Sequence, residues 1–367
     1  MPAEVSVSDV KGEVNYENLI KEFGVQKFDK YISKMEKLGI KLDLMYRRNI
    51  VFAHRDFEKI LNTIKNKKEF AVVTGINPSS PLHFGHLLFL RQAKFFQELG
   101  ADVFIPISND ETYVFKKTEK LEDATKNAFE NVIVDIIALG FKKNKTKIFI
   151  STQFSKIYEL AVKLSTKVTF STIKAIFGFN EQTNPGQIFY AVMQSAHILL
   201  PQIEEFGGVK PTIVPIGIDQ DPYMRLVRDI SEKVGFIKPS STYHKFLPGL
   251  LGGKMSGSKP NTCIFLTDDI EVAKRKIKKA FSGGPKTLAE HRKYGGNPEI
   301  DVACQYLYFL FEEDDKKIKE IFENFRNGKL TCGDVKEYLS NKVEKFLKEH
   351  QAKREKAKNL IDKFLIY

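Results

Sequence analysis

Phe70-Ala71-Val72-Val73-Thr74-Gly75, then a Pro/Ser loop and a helical stretch from Leu87 to Leu99, then Val103-Phe104-Ile105-Pro106-Ile107-Ser108, is the segment that decides the fold. Two apolar runs rich in β-branched and aromatic residues flank a helical pattern closed by Gly100, so the segment reads as strand, loop, helix, strand: a βαβ unit. Ile148-Phe149-Ile150-Ser151 and Thr212-Ile213-Val214-Pro215-Ile216-Gly217 repeat the apolar strand pattern after further helical stretches. Strands without polar alternation are buried on both faces, which predicts an α/β domain built on a doubly wound parallel sheet. Upstream, Arg48-Asn49-Ile50-Val51-Phe52-Ala53 reads as another strand, and Asp56 opens a helix that runs to Lys65-Asn66-Lys67-Lys68. Residues 15–40 read as a short helical preamble stopped by Gly39. Beyond Asp268 the strand signals cease, and charged amphipathic sequence broken at Gly283-Gly284-Pro285, Gly295-Gly296 and Thr331-Cys332-Gly333 predicts a C-terminal helical domain.

Composition narrows the function. The chain has 367 residues, 42% of them hydrophobic, and 30 Phe, enough for a full core and two domains. No run approaches the ~20 apolar residues of a membrane span, and Met1-Pro2-Ala3-Glu4-Val5-Ser6 is polar, so a cytoplasmic location without a membrane is expected. Cys263, Cys304 and Cys332 are scattered and form no CxxC pair, which argues for packing rather than disulfides or zinc. A net charge of +12 favours a polyanionic partner, although a lysine-rich solvated surface gives the same sum.

Three segments carry chemistry. Thr74 to His86 fills the place after a strand and before a helix, where nucleotides sit outside the carboxyl ends of an open parallel sheet. There Gly85 would let a base approach the backbone, and His83 and His86 could donate to phosphate oxygens. The same pair also fits two surface histidines at a helix start, or a metal-binding His-x-x-His that lacks neighbours to complete a shell; no metal ligands are assigned. Lys254-Met255-Ser256-Gly257-Ser258, entered through Gly252-Gly253, offers a cation for pyrophosphate and a small-residue turn whose N–H groups can face anions, yet alone it is only a surface loop. Between them, Gly217-Ile218-Asp219-Gln220-Asp221 takes a strand end into a helix, with Asp219 and Gln220 placed for a ribose or an amino acid, or with Asp219 or Asp221 capping the helix.

His83-Phe84-Gly85-His86 resembles the His-Ile-Gly-His signature of class I aminoacyl-tRNA synthetases, and Lys254 to Ser258 resembles their Lys-Met-Ser-Lys-Ser loop. Gly217-Ile218-Asp219-Gln220 is similar to the tyrosyl/tryptophanyl branch. Phe52-Ala53-His54-Arg55-Asp56, Asn109-Asp110-Glu111, Ile176-Phe177-Gly178-Phe179, Asp219-Gln220-Asp221-Pro222-Tyr223, Asn261 to Asp268 and Ala280-Phe281-Ser282-Gly283-Gly284 resemble the archaeal and eukaryotic tryptophanyl-tRNA synthetases, in order along nearly the whole chain.

The resemblance implies a nucleotide-binding, Rossmann-like catalytic domain at 47–265, preceded by an N-terminal helical extension at 1–46 and followed by a helical anticodon-binding domain at 266–367, whose last helix can return to the catalytic body. It implies ATP-dependent activation of L-tryptophan with Mg²⁺ and transfer to tRNA(Trp), by a homodimer. His83, His86 and Lys254 would stabilise charge on the phosphates; Thr74, Gly75, Gly85, Gly217, Asp219, Met255, Ser256 and Ser258 would complete the ATP site; Glu111, Gln194 and Gln220 would hold the amino and carboxylate groups of tryptophan. Cations such as Lys353 and Arg354 would serve tRNA. Two departures stand out. Gly257 replaces the second lysine of the loop, which turns attention to Lys259 or to His54 and Arg55. Val73 and Pro106 occupy positions where eukaryotic relatives carry a tyrosine and a glutamine near the indole N–H, leaving its acceptor unassigned. A tyrosyl-type enzyme would have a tyrosine at Val73 and an aspartate at His197; a non-catalytic RNA-binding paralogue or a small nucleotidyltransferase would not need both halves of the pattern.

Overall fold

The structure, a computed structural model, describes residues 14–253 and 255–367, together with the paired backbone of two short strands, β1 (Glu4–Val5) and β2 (Val10–Lys11). Seven further strands form one sheet: β3 (Gln26–Lys27), β4 (Val51–Arg55), β5 (Ala71–Val73), β6 (Asp102–Ile107), β7 (Thr146–Ile150), β8 (Thr212–Gly217) and β9 (Ser240–His244). Their order is β3-β4-β9-β8-β5-β6-β7. From β9 to β7 all neighbours are parallel, as the unbroken apolar runs predict. The sheet differs from a purely parallel one at its margin, where β4 pairs antiparallel with both β9 and β3. The preamble also differs: instead of one helical stretch it folds as helices Tyr16–Phe23 and Lys30–Lys37, separated by β3. Gly24 makes the break, ending the first helix in the left-handed conformation at φ +62.

Strand order supplies the feature that matters for binding. From β5 the chain adds β6 and then β7 on one side, and later β8 and β9 on the other, so the order reverses between β5 and β8. At such a switch point the connections leave in opposite directions and open a crevice beyond the carboxyl ends of the two strands. Thr74-Gly75 follow β5 directly, and the turn Ile218–Gln220 follows β8.

The chain divides into two compact units, residues 1–80, 89–245 and 358–367 in the first and residues 81–88 and 246–357 in the second. In the first, Ala71, Val73, Phe104 and Phe149 of the sheet form a core with Leu160 and Leu164 of helix Ser155–Ser165, Ala191 and Leu199 of helix Pro185–Leu199, and Met224 and Val227 of helix Asp221–Ser231. Its tail segment lies along β7, with Ile148 N–H donating to Phe364 O at 2.8 Å and Ile366 N–H donating to Ile148 O at 2.9 Å. The second unit is helical, with helices Ile270–Lys278 and Cys332–Ala357 packed together. Among the described residues the last strand is β9, as the loss of strand signals beyond Asp268 predicts.

Candidate functional site

In the first unit, the helix Pro185–Leu199 carries much of the site. It starts at a capping box in which Asn184 accepts from Gln187 N–H at 2.9 Å and Gln187 accepts from Asn184 N–H at 3.3 Å, with Pro185 supplying the pre-set first turn. Gly186 lets this start press on helix Asn109–Val114: a Cβ there would lie 2.7 Å from Val114 Cγ1. The result sets Tyr190 against Glu111. The Tyr190 hydroxyl lies 3.0 Å from Glu111 Oε2 and 2.8 Å from Gln194 Oε1, so one buried phenol joins two of the residues expected to hold tryptophan. Burial, with Glu111 and Asp110 adding negative charge, holds the Tyr190 phenol well above its ordinary pKa, so it is a neutral donor. Lys117 neutralises the other Glu111 oxygen at 2.8 Å.

The chain of contacts continues. His197, one turn beyond Gln194, has Nδ1 3.3 Å from Gln194 Oε1 and Nε2 2.9 Å from Ser151 Oγ. Burial pushes the His197 pKa down to about 3, so the ring is neutral. Asp110, beside Glu111, is pushed up to about 7, chiefly by burial, with its bond from the Glu111 N–H opposing and the Glu111 charge reinforcing the shift. Gln220, the third residue expected at tryptophan, donates through Nε2 to Asp219 Oδ2 at 3.0 Å. Val73 and Pro106 are buried in β5 and β6, as apolar walls.

Of the residues in this unit expected at ATP, Thr74 is buried and its N–H donates to Phe104 O at 3.1 Å. A Cβ at Gly75 would meet nothing nearer than Pro106 Cγ at 3.5 Å, an ordinary contact, so neither packing nor a positive φ demands glycine there. Gly217 is extended at φ −73, ψ 153, and Asp219 is largely buried in the turn that follows. The N-cap position of helix Asp221–Ser231 is Gln220, whose side chain does not cap it. Asp221 is instead a fully buried anchor: Arg55 grips both its oxygens at 2.8 Å, Tyr243 donates to it, and the same guanidinium donates to Phe23 O at 2.6 Å and Gly24 O at 3.2 Å. In this conformation Arg55 is engaged in structural contacts rather than presented to a phosphate. His54 is likewise structural, buried among Phe28, Tyr31 and Phe57, with its pKa lowered to about 4 by burial.

In the second unit the motif around His83 is built with similar economy of donors. Phe84 is fully buried and its ring meets those of Tyr306, Phe311 and Phe346 at 6.1, 4.9 and 6.0 Å. Backbone bonds tie the segment to the strand-like stretch after the loop, Phe84 N–H to Ile264 O at 3.2 Å and Leu266 N–H to Leu82 O at 2.8 Å. With Phe84 anchored inside, His83 and His86 stack with centroids 3.9 Å apart. His83 Nδ1 accepts from Gly85 N–H at 3.2 Å and His86 Nδ1 accepts from His83 N–H at 3.0 Å. Each ring with an accepting Nδ1 carries its proton on Nε2, so both present an Nε2–H donor. Burial, then the charge of His86, lowers the His83 pKa well below its ordinary value, which keeps that ring neutral.

Gly85 has a reason within the protein: a Cβ would lie 3.0 Å from His83 Cε1 and 3.2 Å from Met255 Sδ, and its N–H also points to that sulfur at 3.2 Å. Met255 is buried, and Ser256 and Ser258 join their hydroxyls at 2.9 Å. The Ser256 N–H, expected to face anions, donates to Thr262 Oγ1 at 3.2 Å in this conformation. Lys254 lies outside the described residues. Lys259 is exposed. Arg354 falls on the buried stripe of its helix with Leu347, His350 and Ala357, so it is not the exposed cation expected; Lys353 beside it is exposed.

Tyr190 and Ser151 are members that sequence reasoning passed over, and Asp110 and His197 were named there without a role in the site. The i, i+4 and i+7 spacing of Tyr190, Gln194 and His197 on one helix face was the available signal.

A parallel sheet with such a switch point is an architecture that binds nucleotides beyond its strand ends, and proteins of known family share it. Residues 65–348 match the class I tRNA synthetases of the W and Y group. The chain is 44% identical to the tryptophan–tRNA ligase of Saccharolobus solfataricus, covering 99% of this chain and 96% of that one. It is also 44% identical to that of Thermococcus onnurineus, with 98% and 94% covered. Among solved structures, the tryptophanyl-tRNA synthetase of Aeropyrum pernix superimposes with a TM-score of 0.90 at 37% identity, covering 96% of each chain. The chain belongs to the class I tRNA synthetases and, within them, to the tryptophanyl-tRNA synthetases of archaeal and eukaryotic type.

Proposed function

We infer that this chain activates L-tryptophan with ATP to tryptophanyl-adenylate and transfers the acyl group to the 3′ end of tRNA(Trp). The observation that carries the inference is family membership along essentially the full chain. Supporting it, Tyr190 gathers Glu111 and Gln194 within the unit that holds the switch point. The reaction asks little covalent work of the protein: a carboxylate attacks the α-phosphorus, and pyrophosphate leaves. Catalysis then rests on positioning and on stabilising charge that grows toward the phosphates. A neutral His83 ring with its Nε2–H held as a donor suits that task, since it offers a hydrogen bond without requiring a proton to be bound first. His83 and His86 are assigned it, with Lys254 as the cation for pyrophosphate.

Thr74, Gly75, Gly85, Gly217, Asp219, Met255, Ser256 and Ser258 are assigned to ATP, and Glu111, Gln194 and Gln220 to tryptophan. Mg²⁺ would enter on the phosphates of ATP, the mode in which this ion keeps most of its waters; among the described residues no group of three His, Cys, Asp or Glu is gathered as a cage. A homodimer, a cytoplasmic setting and a division of labour between a catalytic part at 47–265 and an anticodon-reading part at 266–367 complete the proposal. Among the described residues no helix is long and apolar enough to cross a membrane. ATP–pyrophosphate exchange across the twenty amino acids tests the assignment: rapid exchange with L-tryptophan alone is expected, and comparable exchange with tyrosine would overturn it.

A further inference from the structure

We propose that His197 is a positioning residue for tryptophan, fixing through its Nδ1–H which end of the Gln194 carboxamide faces the substrate. The proposal deepens the functional reading above and rests on it. A carboxamide has an acceptor end and a donor end of nearly equal shape, so a glutamine in a binding site is ambiguous unless its neighbours decide its orientation. Here two neighbours decide it. Tyr190 Oη lies 2.8 Å from Gln194 Oε1 and 3.0 Å from Glu111 Oε2, and Ser151 Oγ lies 2.9 Å from His197 Nε2 and 3.3 Å from Ile107 O. Ser151 also bonds the Asp110 carboxyl, whose raised pKa of about 7 lets it hold a proton and donate to Ser151. With that, taking the shorter bond at each hydroxyl gives one consistent run of protons. Ser151 donates to His197 Nε2, His197 Nδ1–H donates to Gln194 Oε1 at 3.3 Å, and Tyr190 donates to that same oxygen.

The acceptor end of Gln194 is then saturated, its amide N–H₂ is turned away from Tyr190 and His197, and the Tyr190 oxygen, which also bonds Ser108, keeps a lone pair beside Glu111 for an ammonium group. The run works only with a neutral ring, and full burial keeps His197 so. Without the His197 donor, Tyr190 alone holds the Gln194 oxygen, and because its proton can turn to Glu111 Oε2 at 3.0 Å, the carboxamide can turn over and present its oxygen where a carboxylate needs a donor.

Two substitutions of equal polarity separate this role from general packing. Asparagine places an N–H where Nδ1 was; glutamine places its amide where Nε2 was. Tryptophan affinity is measured by fluorescence, since the chain contains no tryptophan and the ligand is the sole indole; exchange kinetics with tryptophan and ATP are run beside it. His197→Asn is expected to stay within about threefold of wild type in tryptophan Kd. His197→Gln is expected to weaken tryptophan by tenfold or more, with the KM for ATP unchanged and kcat less affected than the KM for tryptophan. Equal effects of the two variants, or losses shared evenly between tryptophan and ATP, overturn the proposal. If His197→Asn is too unstable to assay, Ser151→Ala decides: a rise in the tryptophan KM alone supports the run of bonds, and no change refutes it. Wild-type enzyme that fails to exchange with tryptophan refutes the functional reading itself, a result distinct from any of these.

Discussion

Asp110→Asn removes a carboxylate that the native state keeps protonated far above its ordinary range. The free acid titrates near 3.8, and burial moves Asp110 to about 7. Between those values the folded chain holds a proton that the unfolded chain has lost, so stability is fully present below pH ~4 and falls as pH rises through 7. Each pH unit of that interval corresponds to ~1.4 kcal/mol, which places the charged form on the order of 4 kcal/mol above a neutral one. The amide preserves the oxygen that accepts the Glu111 N–H at 2.9 Å and removes the titration. Other groups facing Asp110 are Ser151, Tyr158, Tyr190 and Glu111, none of which gains or loses a proton from Asp110 by the exchange to an amide. Equilibrium urea unfolding of both proteins, followed by tyrosine fluorescence and far-ultraviolet dichroism at intervals from pH 4 to 8, reads the difference. The variant should gain on the wild type steadily with pH, reaching its full advantage above pH 7. A difference that is constant across the range, or that grows toward acid, refutes the reasoning.

Arg55→Ala should cost about 3–5 kcal/mol, because it leaves Asp221 buried and unpaired, and Arg55→Lys should recover only part of that, since one ammonium cannot grip both oxygens; urea unfolding checks both. Phe84→Ala should empty the aromatic nest of the second unit, cost about 3–5 kcal/mol, and slow exchange far more than Phe84→Leu, as thermal melting and exchange rates will show. Exchange catalysed by the wild type should show no acid limb from His83 between pH 6 and 8, because its pKa lies well below the ordinary value and the ring is neutral throughout; a limb lost in His83→Asn would count against this. Lys353→Gln and Lys356→Gln should each flatten the salt dependence of tRNA binding by roughly one unit while leaving exchange intact, measured by filter binding over a range of salt. Lys254→Ala should slow adenylate formation far more than it weakens tryptophan binding, a comparison of single-turnover rate with equilibrium affinity.

How much the sequence revealed depended on whether the information was local. The βαβ unit could be read because apolar runs and a closing glycine stand side by side. β9 could not: Ser240-Ser241-Thr242-Tyr243-His244 carries hydroxyls and a histidine, yet all five are buried. Three of them are tolerated because Thr242 donates to Gln92 at 3.0 Å, Ser240 donates to Asp56 O at 2.9 Å, and Tyr243 donates to Asp221. Arg55 looked available for phosphate because its partner, Asp221, stands 166 positions away. Arg354 is the opposite case, since Leu347, His350 and Ala357 mark its buried stripe at helical spacing. His83, Gly85 and His86 were legible as a motif, but their tautomers and the dual role of Phe84 needed coordinates. His197 was visible only as a missing aspartate, because its meaning lies in contacts to Ser151 and Gln194.

The segment along β7 has a consequence for how the protein is made. Ile148 receives its partner Leu365 only after some two hundred further residues have been synthesised. At ribosomal speeds of ~5–20 residues per second, the nascent sheet stands with an open flank for on the order of ten seconds or more. Such a flank offers unpaired N–H and C=O groups to any passing strand. A message that stalls within the second unit would thus release a chain with a formed sheet and an adhesive border. Cells that slow translation under stress would be expected to meet this polypeptide first as a client of their chaperones.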